Sequence, residues 1–162
     1  MNDNEDHTAQ LNRRVLYAFL IGTLVVGLTA SLFTEPNIAG WYAALAKPSF
    51  NPPNWIFAPV WTALYVMMAV AAWRVWRVLS VRSPAILLYV LQLALNFAWS
   101  LIFFSLHLID VAFIDIAALW IVILATMIAF FRGDRVAGWL MLPYFAWVSF
   151  AAVLNWEILR LN

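Results

Sequence analysis

The residues able to do chemistry in this chain recur at helical spacing. Gln92, Asn96, Trp99, Ser100 and Phe103 stand at i, i+4, i+7, i+8 and i+11, lining two amides, an indole, a hydroxyl and a phenyl ring along one helix face. Tyr144, Trp147, Ala151 and Asn155 repeat the pattern, and Phe57, Trp61 and Tyr65 follow at intervals of four. Flat aromatic faces with a few donors and acceptors are the equipment of a pocket for a planar, mostly apolar molecule. No nucleophile stands beside a base, and no redox or metal motif is visible, so ordinary catalysis has little to work with. Asp115 is the only acid well inside an apolar run, where an ionised carboxylate costs about 2.5–3.5 kcal/mol unless paired or wetted. It reads either as a polar handle in a ligand cavity or as a neutral acid bonded to a neighbouring helix. Gln92 and Asn96 carry the same pair of readings, because amides also tie membrane helices together.

Those residues need elements to hold them, and the composition says which. Of the 162 residues 66% are hydrophobic and 10% charged, with a mean hydropathy of +0.88, beyond the ~45–50% apolar usage of soluble domains. Runs of roughly 20 apolar residues cross a bilayer as helices, and five qualify: Val15–Thr34, Trp55–Trp73, Pro84–Leu106, Val111–Phe131 and Val136–Trp156. The expected fold is therefore all-α, an integral membrane bundle of five transmembrane helices over residues 15–162, behind a polar, disordered tail at 1–14. Arg13-Arg14 ahead of an apolar run also fits a signal sequence, but the run exceeds the ~7–15 residues of a signal core and four more spans follow. A net charge of +1 argues against a nucleic-acid partner, and the absence of cysteine removes disulfides, thiolate metal sites and covalent haem attachment. His107, at the turn between the third and fourth spans, reads as interfacial. With His7 the only other histidine, no metal- or haem-ligating set can be assembled.

With five spans, Arg13, Arg14, Arg74, Arg77, Arg82, Arg132 and Arg135 share one face, leaving Lys47 and Arg160 opposite. By the positive-inside rule the N-terminus is cytoplasmic and the C-terminus external, as expected for a multi-pass protein of a bacterial cell membrane. Trp55, Trp73, Trp76, Trp139 and Trp156 fall at span ends, where indoles anchor among headgroups. Trp61, Trp99, Trp120 and Trp147 lie within spans, where an indole N–H wants a partner that lipid does not provide. At ~1.5 Å per residue the polar groups gather in the outer half of the spans. Above them runs "WYAALAKPSFNPPNWIFAPVWTALY", Trp41 to Tyr65. Pro48, Pro52, Pro53 and Pro59 each lack a backbone donor and fix φ, so Lys47–Val60 should be stiff and largely non-helical, with Pro59 able to start the second helix. Such a segment serves as a lid over a cavity or as a packed interfacial loop.

That stretch, with "QLALNFAWSLIFF" at Gln92–Phe104 and "PYFAWVSFAAVLNW" at Pro143–Trp156, resembles the TspO/MBR family, whose members include bacterial tryptophan-rich sensory proteins and the mitochondrial translocator protein, or peripheral-type benzodiazepine receptor. The three motifs stand in the family's order and cover nearly everything after the tail, in the manner of a bacterial-type member. The resemblance implies a five-helix membrane protein, commonly a homodimer, whose cavity under the first loop accepts porphyrins such as protoporphyrin IX and synthetic isoquinoline carboxamides or benzodiazepines. It places pocket positions on Trp41, Tyr42, Pro52, Phe57, Trp61, Asn96, Trp99, Ser100, Asp115, Trp147, Ala151 and Leu154. It also implies, for some bacterial members, a light-dependent degradation of porphyrin involving positions matching Trp61 and Trp147. The sterol pattern of animal members is broken here, since Trp156 stands where a tyrosine would be.

Three classes follow from that resemblance and the residues. The first is a receptor or sensor for porphyrin-type tetrapyrroles, with no cofactor required and with propionates meeting Lys47 or loop amides. The second is a porphyrin-degrading enzyme using Trp61 and Trp147. The third is a tetrapyrrole or sterol transporter, for which neither inverted repeats nor broken helices in matched halves are present.

Overall fold

Polar side chains mark where several helices begin. Ser83 Oγ accepts from the Ile86 N–H at 3.5 Å with Pro84 in the first helical position, and Asp134 Oδ1 accepts from the Ala137 N–H at 3.0 Å. The computed structural model describes residues 3–162, with side chains from His7 onward. It is an all-α bundle: α1 Asp3–Asn37, α2 Phe57–Val78, α3 Pro84–Ser100, α4 Ile109–Gly133 and α5 Arg135–Leu161, with no strand among the described residues. All five are long and apolar enough to cross a membrane. Residues 3–14, expected as a disordered tail, are instead the first turns of α1. Good helix formers such as Ala9, Gln10 and Leu11 extend a helix already nucleated by the apolar run behind them.

Around the bundle the order is α1, α2, α5, α4, α3 and back to α1. One end is solid. Met68, Ala71, Ala72 and Val75 of α2 meet Ile123 and Phe130 of α4 and Met141 of α5 with no solvent exposure, the alanines letting helices approach closely. Asp134, between α4 and α5, pairs with Arg74 at 2.9 Å and closes that end. Burial pushes its carboxyl upward, but the Ala137 N–H and the Arg74 guanidinium more than offset this and hold it below the usual range.

The other end departs from straight helices in two places. Ile38–Tyr42 and Leu101–Ser105 are π-helical, each carrying an extra residue in the turn, with the Leu106 N–H reaching back five residues to the Leu101 carbonyl at 3.0 Å. Of Lys47–Val60, only the part up to Pro53 is non-helical. A 3₁₀ turn at Asn54–Ile56 leads into α2 two residues before Pro59. Pro59 is tolerated in that first turn because backbone N–H groups there have no intrahelical partner.

Candidate functional site

Opposite the solid end the five helices part around a cavity of about 540 Å³. Its floor is a polar relay. Tyr65 Oη donates to Asn96 Oδ1 at 2.6 Å, Asn96 Nδ2 donates to Tyr144 Oη at 3.4 Å, and Tyr144 Oη donates to Gln92 Oε1 at 2.7 Å, all buried. Gln92 and Asn96 thus tie α2, α3 and α5 together, and Asn96 also faces the cavity. Tyr65 reaches Asn96 because Gly27 lies beside it on α1, where a Cβ would stand 2.3 Å from the phenol ring.

The walls are aromatic. Trp61 stacks on Tyr65 with centroids 5.5 Å apart, Trp99 on Phe103 at 5.0 Å, and Phe57 meets Trp147 edge-on at 5.8 Å. Trp99 Nε1 donates to Asn155 Oδ1 at 3.0 Å, and Asn155 Nδ2 donates to the Ile109 carbonyl at 3.2 Å, so this indole is fixed by α5 and its N–H is occupied. Trp120, away from the cavity, donates to Ser149 Oγ at 2.8 Å. Trp147 differs: its Nε1 is buried without a hydrogen-bond partner. Its ring borders the cavity, but the nitrogen itself is turned away from the open space, and a buried donor left without a partner costs about 1–3 kcal/mol.

The roof is held at several points. Tyr42 Oη donates to Asn51 Oδ1 at 2.8 Å. Lys47 Nζ donates to the carbonyls of Tyr42, Ala43 and Leu45 at 2.6, 3.1 and 2.8 Å and lies 4.9 Å from the Tyr42 ring centroid. The Asn162 amide grips Ala46 on both sides, accepting from its N–H and donating to its carbonyl, each at 3.0 Å. Lys47 Nζ is therefore hydrogen-bonded to the helix end it caps, and the residue lies outside the lining.

The cavity is open at the side. Its exposed lining residues are Leu28, Ser31 and Glu35 on α1 and, facing them, Asn54, Ala58 and Thr62 at the start of α2 and its lead-in turn. The opening therefore lies between α1 and α2, along the flank of the bundle.

Nine of the twelve anticipated positions line this space: Tyr42, Phe57, Trp61, Asn96, Trp99, Ser100, Trp147, Ala151 and Leu154. Three do not. Trp41 packs behind the wall, stacked on His107 at 4.2 Å and edge-on to Phe103 at 5.3 Å. Pro52 lies in the roof, where its carbonyl accepts from Asn51 Nδ2 at 3.2 Å. Asp115 meets neither expectation, as it is outside the lining and its buried Oδ2 has no partner. On α4 the cavity is faced by Ile116 and Leu119, and one residue is about 100° of rotation, enough to turn Asp115 aside. Sequence reasoning missed the whole α1 wall, including Gly27, Ser31, Thr34 and Glu35. The available signal was the small Gly27–Ser31 pair, which marks close approach without saying to what.

Comparison with known proteins agrees with this architecture. Residues 19–161 match the TspO/MBR family. Tryptophan-rich protein TspO of Chlorobaculum tepidum is 42% identical over 94% of this chain and 99% of that protein, and its namesake in Archaeoglobus fulgidus is 36% identical over the same shares. The translocator protein of Sus scrofa is 35% identical over 88% of this chain and 89% of its own.

Proposed function

This chain belongs to the TspO/MBR family of multi-pass membrane proteins, and from that premise we propose that it is a receptor for porphyrin-type tetrapyrroles, protoporphyrin IX among them. One observation carries the reading: an aromatic-walled cavity of about 540 Å³, within the ~300–1,000 Å³ of small-molecule sites. A flat, mostly apolar ring matches the aromatic lining formed by Trp61, Trp99 and Trp147. The same space suits an isoquinoline carboxamide or a benzodiazepine, which are also largely aromatic. No cofactor is needed for binding. The charge bias, seven basic residues against two, orients the N-terminus to the cytoplasm and the C-terminus outside.

A second reading rests on Trp61 and Trp147 both bordering the cavity, which sets beside any bound ring the two indoles that the resemblance links to light- or oxygen-dependent breakdown of porphyrin. One experiment addresses both. Purified protein is titrated with protoporphyrin IX in the dark while tryptophan fluorescence is followed, and the complex is then illuminated and its absorption recorded. Saturable quenching without new absorbing species is the receptor's result, and saturable product formation is the enzyme's. Absence of saturable quenching rejects the tetrapyrrole site.

A further inference from the structure

The opening between α1 and α2 is a slit with two different ends. At the bottom the helices close on each other, where the Tyr65 ring crosses Gly27. At the top stand Glu35 and Asn54, both exposed. Glu35 lies just beyond the apolar run that ends at Thr34, and Asn54 just before the one that begins at Trp55, so both polar side chains sit at the edge of the hydrocarbon. Between the two ends Leu28 and Ser31 of α1 face Ala58 and Thr62 of α2. The Ser31 and Thr62 hydroxyls donate to the carbonyls of Leu28 and Ala58 at 2.7 and 2.8 Å, which leaves this stretch little free polarity. From Gly27 to Glu35 the slit runs about 12 Å along α1.

Both helices are long and apolar enough to span a membrane, so lipid tails lie against the slit. Inside, the polar side chains bond one another, Tyr65 with Asn96 and Trp99 with Asn155. Water needs several polar partners to settle in a buried space, and these walls offer few. A hydrocarbon chain needs none and gains dispersion contact with every wall it touches. We propose that the cavity takes an acyl chain of a bilayer phospholipid through this slit, with the glycerol and headgroup held outside beside Glu35 and Asn54. This goes beyond the tetrapyrrole reading and does not depend on it.

The test uses purified protein in phosphatidylcholine vesicles that include a phosphatidylcholine with a photoactivatable diazirine at the end of one acyl chain. After irradiation the adducts are mapped by mass spectrometry. Leu87 and Ile121, exposed on outward faces, sample the surrounding lipid. Phe103 and Leu154 are buried and line the cavity, so a chain reaches them only from within. Wild-type protein should carry adducts at both pairs. Ala58→Phe and Ser31→Phe, which narrow the slit from either side at exposed positions, should each cut the cavity adducts about tenfold and leave those at Leu87 and Ile121 unchanged, with helicity by circular dichroism confirming the fold. Wild-type adducts confined to the outward positions would overturn the proposal. Cavity adducts undiminished in both folded variants would overturn it as well, since the chain would then enter elsewhere. No porphyrin is present, so neither result bears on the tetrapyrrole site.

Discussion

Trp147 and Ala151 sit one helical turn apart on α5, and both border the cavity. Ala151 keeps space open by being small. Ala151→Phe should fill that space and abolish porphyrin quenching while helicity persists; normal binding by a folded variant would place the site elsewhere. Trp147→Phe keeps most of the apolar contact and removes the unpartnered N–H. It should bind within roughly tenfold of wild type, about 1.4 kcal/mol, while any light-dependent product formation falls much further. These two residues were legible because helical spacing puts them on one face. Asp115 was not, since its rarity inside a span marks it without saying which way its helix is turned.

At the scale of elements, α1 and α2 meet where Gly27 lets the Tyr65 ring cross. That ring is pinned at its hydroxyl by Asn96 and stacked on Trp61, so it has little freedom to yield. Gly27→Ala should therefore destabilise the bundle by ~1–3 kcal/mol, the usual range for overpacking, seen as a lower melting temperature in detergent. An unchanged melting temperature would mean that the helices separate freely along this seam. Gly27 and Ser31, small residues four apart on α1, both face the cavity. The two π-helical turns lay beyond sequence reasoning altogether. An extra residue in a turn answers to the packing of Tyr42 and Phe103 beneath the roof, and periodicity in the chain does not register it.

For the whole molecule, the outward faces decide how copies meet. Leu87, Val90, Leu91 and Ala94 of α3 are exposed and Ala98 is half-buried, an apolar face with small residues four apart. We propose a homodimer through this face. Ala94→Leu should weaken the dimer about tenfold in detergent crosslinking, since small residues let membrane helices approach closely. An unaltered crosslinking pattern would assign the contact to another helix.

The sequence alone determined five membrane-spanning helices, because apolar length against bilayer thickness is a local property of each segment. It also determined the family, through three motifs in order, and the gathering of polar and aromatic residues in one half of the bundle, through their depth along each helix. Only the tertiary structure decided which of them share a space. Helix rotation, set by packing, moved Asp115 off the cavity and brought Glu35 onto its rim. Lys47 turned to carbonyls two to five residues back, and long-range hydrogen bonds fastened Ala46 to Asn162, 116 residues away. Such contacts join positions far apart in the chain, and no local pattern of residues encodes their geometry.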